Sequence, residues 1–128
     1  MLVFYIAMTI FIPLLMLLSG WVMKYHTPKN INGFIGYRTE RSMRSQETWN
    51  FAHQYCGRLW ITIGTGMLIV SAVLCVGYAF FSEKAGYIVF LVAILMQTLL
   101  LLLTIPPTEY ALQKNFDSNG HRKTNEVK

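Results

Sequence analysis

The residues best able to do chemistry lie close together. Asn32, Tyr37, Arg38, Thr39, Arg41, Ser42, Trp49, Asn50 and His53 fall between positions 32 and 53, and Glu109 is a lone acid much further along the chain. Arginine offers a planar fork that grips carboxylate or phosphate through paired N–H bonds, and tryptophan offers an apolar wall. Such a set suits a shallow pocket for an anion or a lipid headgroup. It suits equally a self-satisfied polar cap whose long side chains snorkel to phospholipid and fix topology. Glu109 is expected to pair with Arg38 first, with Arg41 or Arg58 as the next partners.

Other constellations are thinner. His53 and Cys56 stand at i and i+3 and could touch one metal, but His26 and His121 are isolated and a structural zinc needs four ligands. Asn115, Asp117, Asn119, Gly120 and Glu126 match the spacing of a calcium loop, yet Arg122 takes a position that is normally apolar. A solvated turn is the reading there. No nucleophile elbow, His-Glu-x-x-His pair or phosphate-cradling glycine loop occurs. No catalytic residue, metal or cofactor is therefore assigned.

The elements that must position this cluster follow from charge. The chain holds 128 residues, with 11 Lys and Arg and 6 Asp and Glu, all confined to 24–58, 83–84 and 109–128. The runs Met1–Met23, Leu59–Ser82 and Ala85–Thr108 carry none. At 1.5 Å per residue each run covers about 35 Å as a helix, enough to cross a hydrocarbon core of about 30 Å. Leu91–Leu103 is apolar on nearly every side chain, unlike the alternating strands of a barrel. Soluble folds, including soluble nucleic-acid binders, are excluded. Proton relays and ion-coupled transporters rely on intramembrane ionisable groups, and the spans hold only Ser, Thr and Gln97.

Every Lys and Arg except Lys84 lies in the 24–58 loop or the tail, so that side should be cytoplasmic and the N-terminus outside. The first span has no basic leader or small-residue cleavage site and reads as an uncleaved anchor. Pro13 should kink it. Trp21, Tyr25 and Trp60 suit the inner aromatic belt; Tyr78, Phe80, Phe81 and Tyr87 suit the outer one around a turn at 82–86. Gly57, Gly64 and Ser71 form a small-residue stripe open to close helix approach. Ser45 is a good N-cap for a helix from about Gln46 to Gly57, with Trp49, Ala52, His53, Cys56 and Trp60 on one face. That helix either lies in the interface or extends the second span inward. Pro106-Pro107 should stop the third span, with Thr108 capping a short helix to about Asn115. Cys56 and Cys75 are about five turns apart and should stay reduced.

Asn32-Gly33-Phe34-Ile35-Gly36-Tyr37-Arg38-Thr39, then Ser42 and Trp49-Asn50-Phe51-Ala52, resembles the SdpI family of bacterial membrane proteins. The ending Pro107-Thr108-Glu109 with Phe116-Asp117-x-Asn119-Gly120-x-Arg122-Lys123 is similar to its single-module members. The resemblance implies immunity: the founding member protects a toxin-producing Gram-positive bacterium from its own membrane-active peptide and holds a repressor at the membrane. Arg38, Trp49 and Asn50 carry over by motif.

The sequence thus points to an all-α integral membrane protein with three transmembrane helices (about 1–23, 59–82 and 85–106). A cytoplasmic amphipathic helix and loop cap (24–58) and a cytoplasmic tail (107–128) complete the single domain 1–128. Its expected location is the bacterial cell membrane. The expected role is an SdpI-like immunity or stress protein that binds a peptide or lipid without turnover. The expected site is Asn32, Tyr37, Arg38, Thr39, Arg41, Trp49, Asn50, His53 and Glu109. Two other roles stay open: a small enzyme or carrier for a lipid headgroup using Arg38, His53 and Glu109, and a recruiter of a cytoplasmic regulator. The expected partners are membrane lipid, a toxin peptide or that regulator, with no nucleic acid; a homo-oligomer stays open.

Overall fold

A computed structural model describes residues 1–123. It holds α1 (Leu2–Tyr25), α2 (Gln46–Tyr78), α3 (Glu83–Leu102) and α4 (Ile105–Asn115). Among the described residues there is no strand beyond one antiparallel bridge between Phe116 and Arg122. Helices Leu2–Tyr25 and Gln46–Tyr78, and the stretch Glu83–Asn115, are long and apolar enough to cross a membrane. They fit a multi-pass membrane protein. Apolar side chains such as Val3, Val73 and Leu95 face outward, as a lipid-solvated bundle requires.

α1 and α2 pack closely along their length because small residues let their backbones meet. A Cβ on Gly57 would stand 2.8 Å from the Gly20 carbonyl oxygen, and one on Gly20 would stand 2.8 Å from Trp60 Cβ. Gly64 abuts Leu17, and buried Ser71 bonds to α3, so the whole small-residue stripe faces neighbouring helices. α3 leans on α1 and meets α2 less closely. An apolar groove of about 690 Å³, lined by residues such as Gly66, Val70 and Val92, runs between α2 and α3.

Pro13 lies inside an unbroken α1. It has no N–H to give the Thr9 carbonyl four residues back. Gln97 Nε2 from α3 fills that place at 2.9 Å and also reaches Ser71 Oγ at 2.9 Å. Thr9 Oγ1 meets Tyr78 OH at 3.0 Å, so four polar side chains close a network inside the bundle.

Of the two placements left open for residues 46–57, the structure has the continuation of the second span: they are the first turns of one long α2. Two boundaries differ from the sequence reading. The α2–α3 turn falls at 79–82, because Ser82 accepts the Ala85 N–H as N-cap and Glu83 opens α3. Pro106 and Pro107 start α4 rather than stop α3, which ends at Leu102. A first-turn proline lacks only an N–H that would be unpaired anyway. Thr104, not Thr108, is the capping position; its Oγ1 accepts from Trp60 Nε1 at 2.9 Å and so fixes the α3–α4 break to α2.

Candidate functional site

The polar cluster is built on the N-terminal end of α2. Ser45 and Thr48 form a reciprocal capping box: Ser45 Oγ accepts from Thr48 N, and Thr48 Oγ1 accepts from Ser45 N. Ser45 Oγ also donates to the Gly120 carbonyl at 2.6 Å, which ties the tail to the same cap. Gly120 has φ +79°, and a Cβ there would stand 2.9 Å from Ser45 Cβ and Oγ, so the position rejects a side chain. Behind it, Phe116 packs edge-on against Phe51 and joins Ala52 and Leu112 in a small core.

The loop between α1 and α2 climbs along α2 and then turns back. Trp49 Nε1 donates to the Pro28 carbonyl at 2.7 Å, and Gln46 Nε2 donates to the Lys29 carbonyl. The chain returns to lay Tyr37 over His53. The Tyr37 N–H donates to His53 Nε2 at 3.0 Å, while His53 Nδ1 faces the Trp49 carbonyl at 2.7 Å. A backbone N–H can only donate and a carbonyl only accept. The ring is therefore neutral, with its proton on Nδ1. Gly36 makes this approach possible: its φ is +110°, and a Cβ there would fall 2.3 Å from His53 Nε2.

Glu109 completes the cluster from α4. Tyr37 OH donates to Glu109 Oε1 at 2.6 Å, and Arg41 Nε stands 3.6 Å from Oε2. Burial first, and the neighbouring carboxylate second, push the Tyr37 phenol well above its ordinary range, so it stays a donor. Buried Ser42 braces the turn by donating to the Tyr37 carbonyl and accepting from Thr39 N, both at 2.9 Å. Arg41 is partly exposed. Its Nε faces Glu109; among the described residues its terminal nitrogens make no hydrogen bond, so they suit an incoming anion.

The structure thus brings together Tyr37, Arg41, His53 and Glu109, packs Trp49 on the His53 ring, joins Thr39 to Tyr37 through Ser42, and sets Asn32, Arg38 and Asn50 apart. Arg38 does not meet Glu109; it is exposed and donates to the Gly33 carbonyl. The turn at Gly36–Tyr37 sends the tyrosine inward and leaves the next side chain outside. Asn50 points away from the cluster, accepting from Gln46 Nε2 at 2.9 Å on the exposed face of α2. Asn32 shapes its own loop, with Oδ1 accepting from Phe34 N and Ile35 N. Thr39 pairs with Ser42. Trp49 is fully buried, 4.3 Å from the His53 ring by centroids, and is packing rather than a pocket wall.

Both ring nitrogens of His53 are engaged, which leaves no lone pair for a metal beside Cys56. In the calcium-like stretch, Asp117 Oδ1 accepts from Asn119 N and His121 N, both at 2.9 Å. The His121 N–H bond, and secondarily the Asn119 one, hold its carboxyl below the usual range. Glu126 lies outside the described residues. The sequence reading has Gly36 only as part of the family motif, without a role, and passes over Thr104 and the Thr9–Gln97 contact. Pro13 was the available signal for the last, since it frees a carbonyl at a known offset.

The SdpI/YfhL protein family matches residues 29–105 of this chain. The uncharacterized protein YfhL of Bacillus subtilis (strain 168) is 46% identical over 50 residues, which is 39% of this chain and 46% of YfhL. The match thus spans less than half the length of that curated relative. No solved structure matches the chain.

Proposed function

The chain belongs to the SdpI/YfhL protein family, and from that membership we propose that it is a membrane immunity or stress protein of the SdpI type, binding a membrane-active peptide or a lipid without turning it over. The observation that carries this reading is the overlap between family and site. The matched stretch 29–105 contains the loop that closes over His53, with Tyr37 and Arg41, and the span on which it rests. Glu109, just beyond the match, holds Arg41 at the surface by one edge. A phosphate, or the carboxylate end of a peptide, would compete with Glu109 for that guanidinium. No bond need form or break for such capture.

In this reading the protein sits in the bacterial cell membrane with the polar cluster on the cytoplasmic side. The distribution of Lys and Arg supports that orientation. The test of function is survival. Expression in a sensitive Gram-positive host should raise survival against a membrane-depolarising peptide. Arg41→Ala and Tyr37→Phe should remove the benefit at equal protein level, while Asn50→Ala should keep it. Equal killing with and without the intact protein, across several such peptides, would end the immunity reading. Orientation is tested separately: a cysteine at Ser82 should react with an impermeant thiol reagent in intact cells, and one at Ser118 only after lysis.

A further inference from the structure

The loop that closes over His53 carries an apolar tip. Phe34 is 90% exposed and Ile35 66% exposed. Yet the backbone beneath them is held at every point. Asn32 Oδ1 accepts from both of their N–H groups at 2.9 and 2.8 Å, Arg38 donates to the Gly33 carbonyl, and Tyr37 N donates to His53. Gly36, at φ +110°, presses against the His53 ring. An ordered loop that holds two large apolar side chains out of the fold is built to place them in something.

Position along α2 identifies what that is. The Lys29 carbonyl meets Gln46 at the first residue of α2, whereas Tyr37 meets His53, seven residues nearer the span. The loop therefore dips toward the bilayer. His53 lies six residues before Leu59, where the charge-free run begins, a helical rise of about 9 Å. Headgroups occupy roughly 5–8 Å beyond the hydrocarbon on each side. A phenyl ring directed toward the span from this level would enter that layer. Exposed Trp21, Tyr25 and Tyr110 lie at the same end of the bundle, so Phe34 extends a belt of interfacial aromatics. The loop carries Lys29, Arg38, Arg41 and Arg44 against Glu40 alone, a net positive charge that complements anionic headgroups.

We propose that Phe34 and Ile35 are an interfacial hook: they insert into the headgroup layer of the leaflet beside the polar cluster and hold the Asn32–Arg38 loop, and with it Tyr37, at the lipid surface. The occupant is phospholipid, with no second protein required. The hook does not depend on which leaflet this is or on what the cluster binds, so it stands or falls apart from the immunity reading.

The test places a bimane fluorophore on Phe34→Cys, and separately on Ile35→Cys, in a Cys56→Ala, Cys75→Ala background. The protein is reconstituted in vesicles of phosphatidylethanolamine and phosphatidylglycerol, with Ser118→Cys as an aqueous control. Nitroxide-bearing lipids should quench both tip positions strongly, and iodide should quench them far less than the control. Iodide quenching equal to that at position 118 would overturn the hook. So would shielding from both quenchers, because a protein would then cover the tip. A benzophenone amino acid at position 34, with both native cysteines kept, gives a second reading that does not rely on the altered background. Adducts with phospholipid support the hook; adducts with another chain, or none, overturn it.

Discussion

Gln97 Nε2 lies 2.9 Å from the Thr9 carbonyl oxygen, the acceptor that Pro13 leaves without its helical partner. A side chain of α3 thus replaces a backbone bond missing from α1. In hydrocarbon an unpaired carbonyl has no water to turn to, so this contact couples the fold of one helix to the docking of another.

Gln97→Leu should therefore lower stability by about 1–3 kcal/mol, the cost of an orphaned buried acceptor. Pro13→Ala restores the N–H four residues on from Thr9. In that background the loss from Gln97→Leu should shrink, a coupling that a double-mutant cycle in detergent unfolding would read. Equal losses in both backgrounds would mean that the Thr9 carbonyl is not what Gln97 serves.

The ion pair at the cluster gives a second cycle. Arg41 and Glu109 are partly exposed at 3.6 Å, so their direct coupling should stay within about 1 kcal/mol. The Tyr37–Glu109 bond, at 2.6 Å and partly buried, should couple more strongly. Arg41→Ala with Glu109→Ala, and Tyr37→Phe with Glu109→Ala, should each be non-additive. Arg38→Ala with Glu109→Ala should be additive, because the two side chains do not meet. Melting temperatures of the eight proteins, wild type included, decide among these.

The closest backbone approach predicts an asymmetry between two glycines of α2. Gly57→Ala puts a Cβ 2.8 Å from the Gly20 carbonyl oxygen and 2.9 Å from Lys24 N, and neither backbone atom can swing aside. Overpacking of that kind should cost about 1–3 kcal/mol. Gly66→Ala meets nothing within 4 Å and should be neutral or slightly stabilising. Similar small gains at both sites, measured by unfolding in the same detergent, would show that helix propensity and not helix approach sets the effect.

These sites also mark what a one-dimensional reading can reach. The spans were legible because charge is absent over whole runs, and lipid demands that. The Ser45 cap and the Gly57–Gly64–Ser71 stripe were legible because helices give fixed spacings. The choice of Arg41 over Arg38 was not, because the loop has no period. Which arginine reaches Glu109 depends on the turn at Gly36–Tyr37, and glycine adopts φ +110° without announcing it by pattern. The prolines misled for a related reason: proline ends one helix or begins the next by the same missing N–H. Only the Leu103–Thr104 break, held by Trp60, decides which.

Tyr37 and His53 set the pH behaviour of the loop. His53 Nε2 must carry a lone pair to accept the Tyr37 N–H, since a proton there would face another donor across 3.0 Å. The folded loop therefore needs the neutral ring. An unperturbed imidazole gains its proton near pH 6.5, so the unfolded chain takes up protons below that value while the folded one resists. Stability contributed by this bond is complete above about pH 6.5 and falls as the solution is acidified, by at most about 1.4 kcal/mol per pH unit. Glu109 and Arg41, the charged pair nearest Tyr37, do not replace the bond, because they engage the phenol end of that residue. His53→Gln keeps an acceptor that does not titrate near neutral pH. Melts of the wild type in nanodiscs between pH 8 and 5 should show a loss on the acid side that His53→Gln lacks, whatever the variant's absolute stability. Parallel pH profiles for the two proteins would move the acid sensitivity away from this contact.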